Sequence, residues 1–352
     1  MSLEFSHIAY AYGATQALND VSFAAPSGEI TCLLGASGCG KSTLLGLAAG
    51  MLSIQTGRVA LDGETLAEPG HNPAPEKRPV GLVFQDGALF PHMTLAQNIA
   101  FGLVAERGAP DTGEIETWLA RVGLGGLGDR YPHQLSGGQQ QRAALARAMA
   151  PGPDVLLMDE PFASVDIVLR RALRRECRIL LREAGTTTIL VTHDPDEALD
   201  IADRIAVMEA GRIVQFGTPQ ELYNAPAAAS VGAIFGGAQI VRARFKEGGY
   251  DFAFGRWAAE CVLGEAPEDD AEIDLLVQAR AVRLELHREG VPVRDVHPLG
   301  ARARVVLRHA SGAELTAEVP QSAGDHIRPG QRYRIKPDPG SVRAFALQAP
   351  EA

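Results

Sequence analysis

An α/β domain built on a parallel sheet, followed by a smaller and mostly β domain, is the architecture this sequence predicts. Two observations carry the first half. Apolar runs of strand length, "ITCLLGA", "VLLMDE", "TTTILVTH" and "RIAVM", alternate with helical segments, which is the pattern of parallel strands joined by crossover helices. The run "ITCLLGA" also leads through a short glycine-containing loop into "KSTLLGLAAGM", which reads as a buried helix. A third observation carries the second half. Beyond "ELYNAPAAASVGAIFGG", read as a closing helix and linker, the chain turns to short alternating strands, "QIVRARF", "IDLLVQAR", "ARVVLRH", "AELTAEV" and "RYRIKPD".

In chain order, "LEFSHIAYAYG" and "ALNDVSFAAPSGE" open the protein as β-rich runs separated by turn residues. Helical periodicity then fills about 86–150, in "MTLAQNIAFGLVAERG", "IETWLARVGLGGL" and "GGQQQRAALARAMA", so a helical subdomain is expected there. The domains are expected at 1–236 and 237–352, the second resembling a small OB-like barrel.

The 352 residues, 46% of them hydrophobic, suffice for a core in each domain. The 43 acidic against 33 basic side chains give a net charge of -10, which weighs against a nucleic-acid partner because phosphate backbones repel such a surface. Cys32, Cys39, Cys177 and Cys261 show no paired C-x-x-C spacing, as expected of a reducing compartment. "MSLEFSHIAYAYG" lacks the basic start and apolar stretch of a secretory signal, and no run of eighteen apolar residues occurs. Any work at a membrane would need another chain to hold this one there.

The strongest chemical motif is "GASGCGKST", which fits G-x-x-x-x-G-K-S/T between a strand and a helix. Such a loop curls so that the N–H groups of Gly35, Ala36, Ser37, Gly38, Cys39 and Gly40 point at phosphate oxygens, and the helix N-terminus adds a favourable dipole. Lys41 would reach the β- and γ-phosphates, Ser42 would ligate Mg²⁺, and Thr43 completes the motif. Its complement is "VLLMDE", an apolar strand ending in two carboxylates. Asp159 would hold Mg²⁺ through its water shell, while Glu160 would orient and deprotonate an attacking water.

Other positions admit two readings each. His193 closes the run "TTTILVTH"; it is either a packed or solvent-facing side chain, or a group at the ligand-collecting edge of the sheet that reaches a γ-phosphate. Gln85 in "LVFQD" is either surface polarity or a neighbour of Mg²⁺. Tyr12, just before a glycine, is either core filler or a flat stacking partner for a purine. "LSGGQQQR" looks like a second phosphate-binding loop about a hundred residues after the first.

Taken together, the phosphate loop, "VFQD", "LSGGQQQR", "VLLMDEPFASVD" and "VTHD", in this order and at these distances, resemble the nucleotide-binding subunit of ATP-binding-cassette transporters. The resemblance spans about residues 3–235. It implies a P-loop ATPase fold of cassette type with ATP and Mg²⁺ as cofactors, Tyr12 stacked on adenine, Gln85 sensing the γ-phosphate and Mg²⁺, Glu160 as catalytic base and His193 as the switch residue. It further implies that two chains sit head to tail as a homodimer. Ser136, Gly137, Gly138 and Gln139 of one chain would then cover the γ-phosphate held by the other, with Asp166 linking the halves. One departure from the usual pattern lies before that aspartate, where Ala163, Ser164 and Val165 stand in place of serine, alanine and leucine.

The absence of a long apolar run favours an importer ATPase that works with two separate transmembrane permease subunits or domains, and indirectly with a periplasmic substrate-binding protein. Such a subunit would sit peripherally on the cytoplasmic face of the cell membrane. A soluble ABC ATPase of repair or translation, and a non-transport P-loop kinase, are the alternatives that "LSGGQQQR" and the single cassette disfavour. "PAPEKRPVGLVFQDGALFPHMTLAQNIAFGL" is similar to importer subunits with a β-rich C-terminal extension, in which the surface around Phe90 to Asn98 receives a permease helix. The length of the C-terminal part is most like that of ferric-ion import ATPases, with polyamine import next, then sulfate and thiamine. The C-terminal domain itself is expected to serve dimerisation, with regulation by a small ligand as the second reading.

Overall fold

The computed structural model describes residues 1–85, 87–107, 111–163, 165–235, 237–264, 266–338 and 340–347. The chain divides into two compact units, Met1–Leu222 and Tyr223–Ala352.

The first unit opens with β1 (Leu3–Tyr12) and β2 (Thr15–Ala25), which pair antiparallel, and continues through β3 (Ile30–Leu34), α1 (Lys41–Ala49), β4 (Thr56–Leu61) and β5 (Glu64–Ala67). Next come β6 (Val80–Val83), α2 (Leu95–Arg107), α3 (Thr112–Arg121) and α4 (Gly137–Met149). The unit is completed by β7 (Val155–Asp159), α5 (Ile167–Ala184), β8 (Thr187–Thr192), α6 (Pro195–Ile201), β9 (Arg204–Glu209) and β10 (Arg212–Gly217). A four-stranded antiparallel sheet has the order β2-β1-β4-β5, and a six-stranded sheet the order β10-β9-β3-β8-β7-β6. In the larger sheet β9, β3, β8, β7 and β6 run parallel, and β10 returns antiparallel on its edge.

Helix α1 is apolar all round because it is sandwiched. Its Leu44, Leu45 and Leu47 share one core with Phe5, Ile8 and Phe23 of the small sheet and with Leu157, Ile189 and Val191 of the large one. The helices expected between 86 and 150 form their own core, in which Leu95 and Ile99 of α2 and Leu119 of α3 meet Ala143 and Ala146 of α4. Small residues on α4 let the helices approach closely.

After α7 (Pro219–Asn224), the second unit contains α8 (Ala229–Ile234), β11 (Ala238–Lys246), β12 (Gly249–Phe252), β13 (Gly255–Ala258), β14 (Val262–Leu263) and β15 (Glu272–Gln278). It ends with β16 (Val282–Pro298), β17 (Arg302–Arg308), β18 (Glu314–Pro320), α9 (Gln321–Gly324), β19 (Arg332–Pro337) and β20 (Val342–Ala346). Two sheets, β13-β12-β11-β15-β20-β14 and β18-β17-β16-β19, close on one apolar core, as the expected small β barrel requires.

The long strand β16 bends the second sheet. Leu286 and Val291 both face Tyr333 of β19, so residues 287–290 are extruded as a large bulge. The aromatic-rich stretch "YDFAFGRW" is core: Tyr250, Phe254 and Trp257 are all buried, and Trp257 Nε1 donates to Ile335 O at 3.0 Å.

The boundary expected after residue 236 would put α8 in the first domain, whereas by contacts α8 falls within the second unit, Tyr223–Ala352. This helix packs on β11 and β15, and a Cβ on its Gly232 would lie 2.2 Å from Leu276 Cδ2. An Ala- and Gly-rich helix looks like a linker in sequence, but here its small residues are what allow close packing on a sheet of the second unit.

Candidate active site

Register places the candidate residues. Leu34 of β3 pairs with Thr192 of β8, Asp159 of β7 with Val191 of β8, and Val83 of β6 with Met158 of β7. The residues that follow these strands therefore leave one edge of the sheet side by side: the loop from Gly35, His193, Glu160 and, a little beyond β6, Gln85. Parallel sheets collect ligands at this carboxyl edge because every strand ends there next to a helix N-terminus.

The loop from residue 35 to 43 wraps the start of α1. Ala36, Ser37 and Gly38 are exposed, whereas Gly35 and Cys39 are buried. Gly40 caps α1 at φ 106, and a Cβ there would meet Ala17 O at 2.6 Å; at Gly35 a Cβ would meet Met208 O at 2.3 Å. Only glycine fits either place. Lys41 is 5% exposed, and its ammonium is held inside the loop by Gly35 O at 2.8 Å and Ala36 O at 2.9 Å, with Cys39 Sγ 3.7 Å away. It is thus a cation framed by carbonyls and a thiol at a helix N-terminus, an arrangement that suits a polyanion.

Ser42 Oγ donates to Asp159 Oδ1 at 3.3 Å, which joins the loop to the end of β7. Burial raises the Asp159 carboxyl above its usual range, with neighbouring Glu160 adding to the effect and the Ser42 hydroxyl and Lys41 opposing it. A hydroxyl and one carboxylate are hard oxygen donors of the kind Mg²⁺ takes when phosphates and water complete its shell. Among the described residues no cluster of three or more His, Cys, Asp or Glu could hold a metal alone.

Glu160 adopts φ 42 in the left-handed region, its N–H bonded to Val191 O at 3.0 Å. Its Oε1 lies 3.0 Å from His193 Nδ1. Tyr12 is 51% exposed, packs edge-on against Tyr10 and brings its hydroxyl to 3.4 Å from Thr43 Oγ1. It is therefore not core filler. Gln85 is exposed beyond β6.

Ser136, Gly137, Gly138 and Gln139 form a separate feature, the cap of α4. Ser136 Oγ accepts from Gln139 N at 3.3 Å, and Gln139 Oε1 accepts from Ser136 N at 3.0 Å. This reciprocal box satisfies the cap internally and leaves Ser136 and Gly137 exposed. Asp166 is exposed just ahead of α5, its carbonyl accepting from Arg170 N at 2.9 Å. Ser164 and Asp86 lie outside the described residues.

The segment from Phe90 to Asn98 is only partly surface. Asn98 is buried, its Oδ1 accepting from Phe90 N and its amide donating to Phe90 O and Met93 O. Phe90 is half-buried, 4.6 Å edge-on from Phe101 and 5.2 Å beneath the Arg147 guanidinium. The prominent apolar surface falls instead on Phe84 and Phe101, which are 42% and 52% exposed.

Sequence reading missed Arg174, Asp194 and Glu197. Arg174 on α5 contacts Asp194 Oδ2 at 2.5 Å, Glu197 Oε2 at 3.3 Å and Asp200 Oδ2 at 3.5 Å, directly behind His193. A signal existed, since Arg174 falls on the apolar stripe of Leu173, Cys177 and Leu181, where an arginine needs buried acids as partners.

The family profile described as ABC transporter matches residues 18–163, and that described as TOBE domain matches residues 277–345. The chain is 42% identical to a sulfate/thiosulfate import ATP-binding protein, CysA 2, of Chromobacterium violaceum, over 96% of this chain and 93% of that one. It is 39% identical to an Fe(3+) ions import ATP-binding protein, FbpC 2, of Rhodococcus jostii, over 95% and 96%. A solved ATP-binding cassette of an ABC transporter in its ADP conformation matches with a TM-score of 0.58 and 26% identity, covering 67% of this chain and 99% of that one. A dimeric cassette in a post-hydrolysis state bound to ADP and Pi matches with a TM-score of 0.53 and 28% identity, covering 62% and 98%. Among the described residues no helix is long and apolar enough to cross a membrane.

Proposed function

We propose, from the premise that this chain belongs to the ABC transporter family as an import ATP-binding protein with a C-terminal TOBE domain, that it hydrolyses ATP to drive uptake of an inorganic ion through a separate membrane permease. The observation that carries the reading is the convergence of Lys41, Ser42, Asp159, Glu160 and His193 at one sheet edge.

In this reading the loop amides of residues 35–40 and Lys41 bind the β- and γ-phosphates, and Tyr12 offers its exposed ring to adenine. Ser42, Asp159 and Gln85 hold Mg²⁺, which when bound offsets phosphate charge. Glu160 takes a proton from the attacking water, and His193 orients that carboxylate at the γ-phosphate end. Ser136, Gly137, Gly138 and Gln139 close the site of a second copy, with Asp166 at the junction. The exposed α4 cap supports that role, because its hydrogen bonds are internal and its helix N-terminus faces outward.

The permease would engage the surface of Phe84, Phe90 and Phe101, holding the chain peripherally at the cytoplasmic face of the cell membrane. A periplasmic binding protein would deliver the cargo from the other side. The C-terminal unit would stabilise the pair of chains, with regulation as a further capacity.

Ferric ion was the expected cargo, and relatives named for Fe(3+) support it. Relatives named for sulfate and thiosulfate support that cargo equally. Uptake of labelled ferric ion and of labelled sulfate by a deletion strain and its complemented parent decides between them. Loss of one uptake alone names the cargo, and retention of both would overturn the inorganic-ion reading.

A further inference from the structure

Arg174 sits on α5 with a side chain only 6% exposed, and three acids converge on it from the turn and helix that follow β8. Asp194 is the pivot. Its Oδ2 accepts from Arg174 Nη2, its Oδ1 accepts from Asp196 N at 2.9 Å and Glu197 N at 3.4 Å as the cap of α6, and its own N–H donates to Thr192 Oγ1 at 3.0 Å. His193 lies between Thr192 and Asp194, so the backbone on both sides of the histidine is tied down. Its ring reaches Glu160, and a cavity of about 350 Å³ beside that contact is bounded by Glu160, Thr192, His193, Asp194 and Glu197.

Stability gives a poor reason for this arrangement. A buried ion cluster of this kind is replaceable by apolar side chains with little loss, because desolvation cancels most of the attraction. What an apolar replacement would not reproduce is the fork of directed N–H groups that fixes where the turn sits.

We propose that Arg174 is a positioning residue for hydrolysis: from α5 it fixes the His193–Asp194 turn and thereby holds His193 on Glu160. The inference rests on the roles proposed above for Glu160 and His193. A misplacement of about 1 Å at such a contact costs roughly a hundredfold in rate while leaving binding intact.

The test uses the full chain. Arg174→Met alone strands three acids and endangers the fold, so it is paired with the double variant Arg174→Met, Glu197→Leu, which restores an apolar contact. Phosphate release and ATP affinity are measured for the double variant and for Arg174→Lys. The expected result is a folded double variant with ATP KM within about twofold of wild type and kcat reduced at least about tenfold, with Arg174→Lys in between. A double variant with wild-type kcat overturns the proposal, as does one whose kcat and ATP affinity fall together. Glu160→Gln serves as the control. If it turns over at the wild-type rate, the underlying site reading fails; if it is dead while the Arg174 variants are fully active, only the positioning role fails.

Discussion

His193 Nδ1 lies 3.0 Å from Glu160 Oε1, a contact made between residues at the ends of two adjacent parallel strands. Pairing of β7 with β8 makes it possible, and the left-handed backbone at Glu160, φ 42, turns the carboxylate toward its neighbour. A non-glycine residue in that region carries strain of about 1 kcal/mol or more, retained where the surrounding structure over-determines it. Strain, an adjacent imidazole and a strand end at the ligand edge are what support the role proposed for Glu160 in hydrolysis over that of a capping acid.

Glu160→Gln tests that assignment with little change in shape. Turnover is expected to fall by 10² to 10⁴, the range for loss of a general base, while ATP binding persists. Size-exclusion chromatography with ATP should then show a trapped dimer. Phosphate release at the wild-type rate would rule the role out.

If the α4 cap of one copy completes the phosphate loop of another, two inactive variants should rescue each other. Lys41→Ala chains mixed with Ser136→Arg chains give heterodimers with one intact composite site, so an equal mixture should recover roughly a quarter of wild-type turnover. Each variant alone should be inactive. Full activity of either one by itself would exclude a shared site.

The phosphate loop, the two carboxylates at the end of β7 and the cap at Ser136 were legible in the sequence because each depends on short-range geometry. Glycines at 35 and 40 exist to let Met208 O and Ala17 O approach, and the capping box needs only residues 136–139. Arg174 left a signal on the apolar stripe of α5, but its acid partners were not legible, since they follow β8 and meet it only when β7 and β8 pair. The bulge at residues 287–290 was hidden for a related reason. Nothing local stops "VRLELHREGVPVRDVHP" from reading as two strands, and only pairing of both Leu286 and Val291 with Tyr333 makes it one. The place of α8 is decided by Leu276, far along the chain, and not by its own composition.

Glu197 should make folding stability depend on pH. Burial pushes its carboxyl up to about 7 from an ordinary 4.5, with Asp194 adding to the rise and Arg174 and the Thr192 hydroxyl opposing it. The folded state therefore holds more protons than the unfolded state between these values. The stabilising contribution is complete below pH 4.5, declines as pH rises and is lost above about 7. Asp194, held low by Arg174 against the effect of its own burial, loses its contribution only at pH values below that window. In urea titrations, wild type should lose stability relative to Glu197→Gln between pH 5 and pH 8, by at most about 3 kcal/mol. A pH-independent difference would show that Glu197 stays ionised throughout.

The last prediction concerns the far end of the helix that carries the phosphate loop. Arg78 is 6% exposed, and its Nη1 donates to Leu47 O at 2.8 Å and Ala48 O at 3.0 Å while Nε donates to Pro73 O at 2.9 Å. Leu47 and Ala48 belong to the last turn of α1, where the i→i+4 ladder runs out and Leu47 O keeps only a 3.3 Å bond from Gly50 N. A guanidinium there satisfies both carbonyls and also complements the negative end of the helix dipole. Gly50 makes the arrangement possible: it turns the chain at φ 81, and a Cβ on it would lie 2.6 Å from Arg78 Nε. Arg78→Met would remove the guanidinium from Ala48 O and Pro73 O and leave Leu47 O with only the Gly50 N–H, a loss of about 2–4 kcal/mol. Thermal unfolding of the first unit should then fall by roughly 5–15 °C. Arg78→Lys should recover part of it, since one ammonium can serve the carbonyls of α1 but cannot also span to Pro73. Gly50→Ala should reproduce the loss with the arginine still in place, because the added methyl pushes the guanidinium off its acceptors. Unfolding temperatures for Arg78→Met and Gly50→Ala within about 1 °C of wild type would mean that α1 ends without this cap, and that its fixed position rests on Leu44 and Leu47 alone.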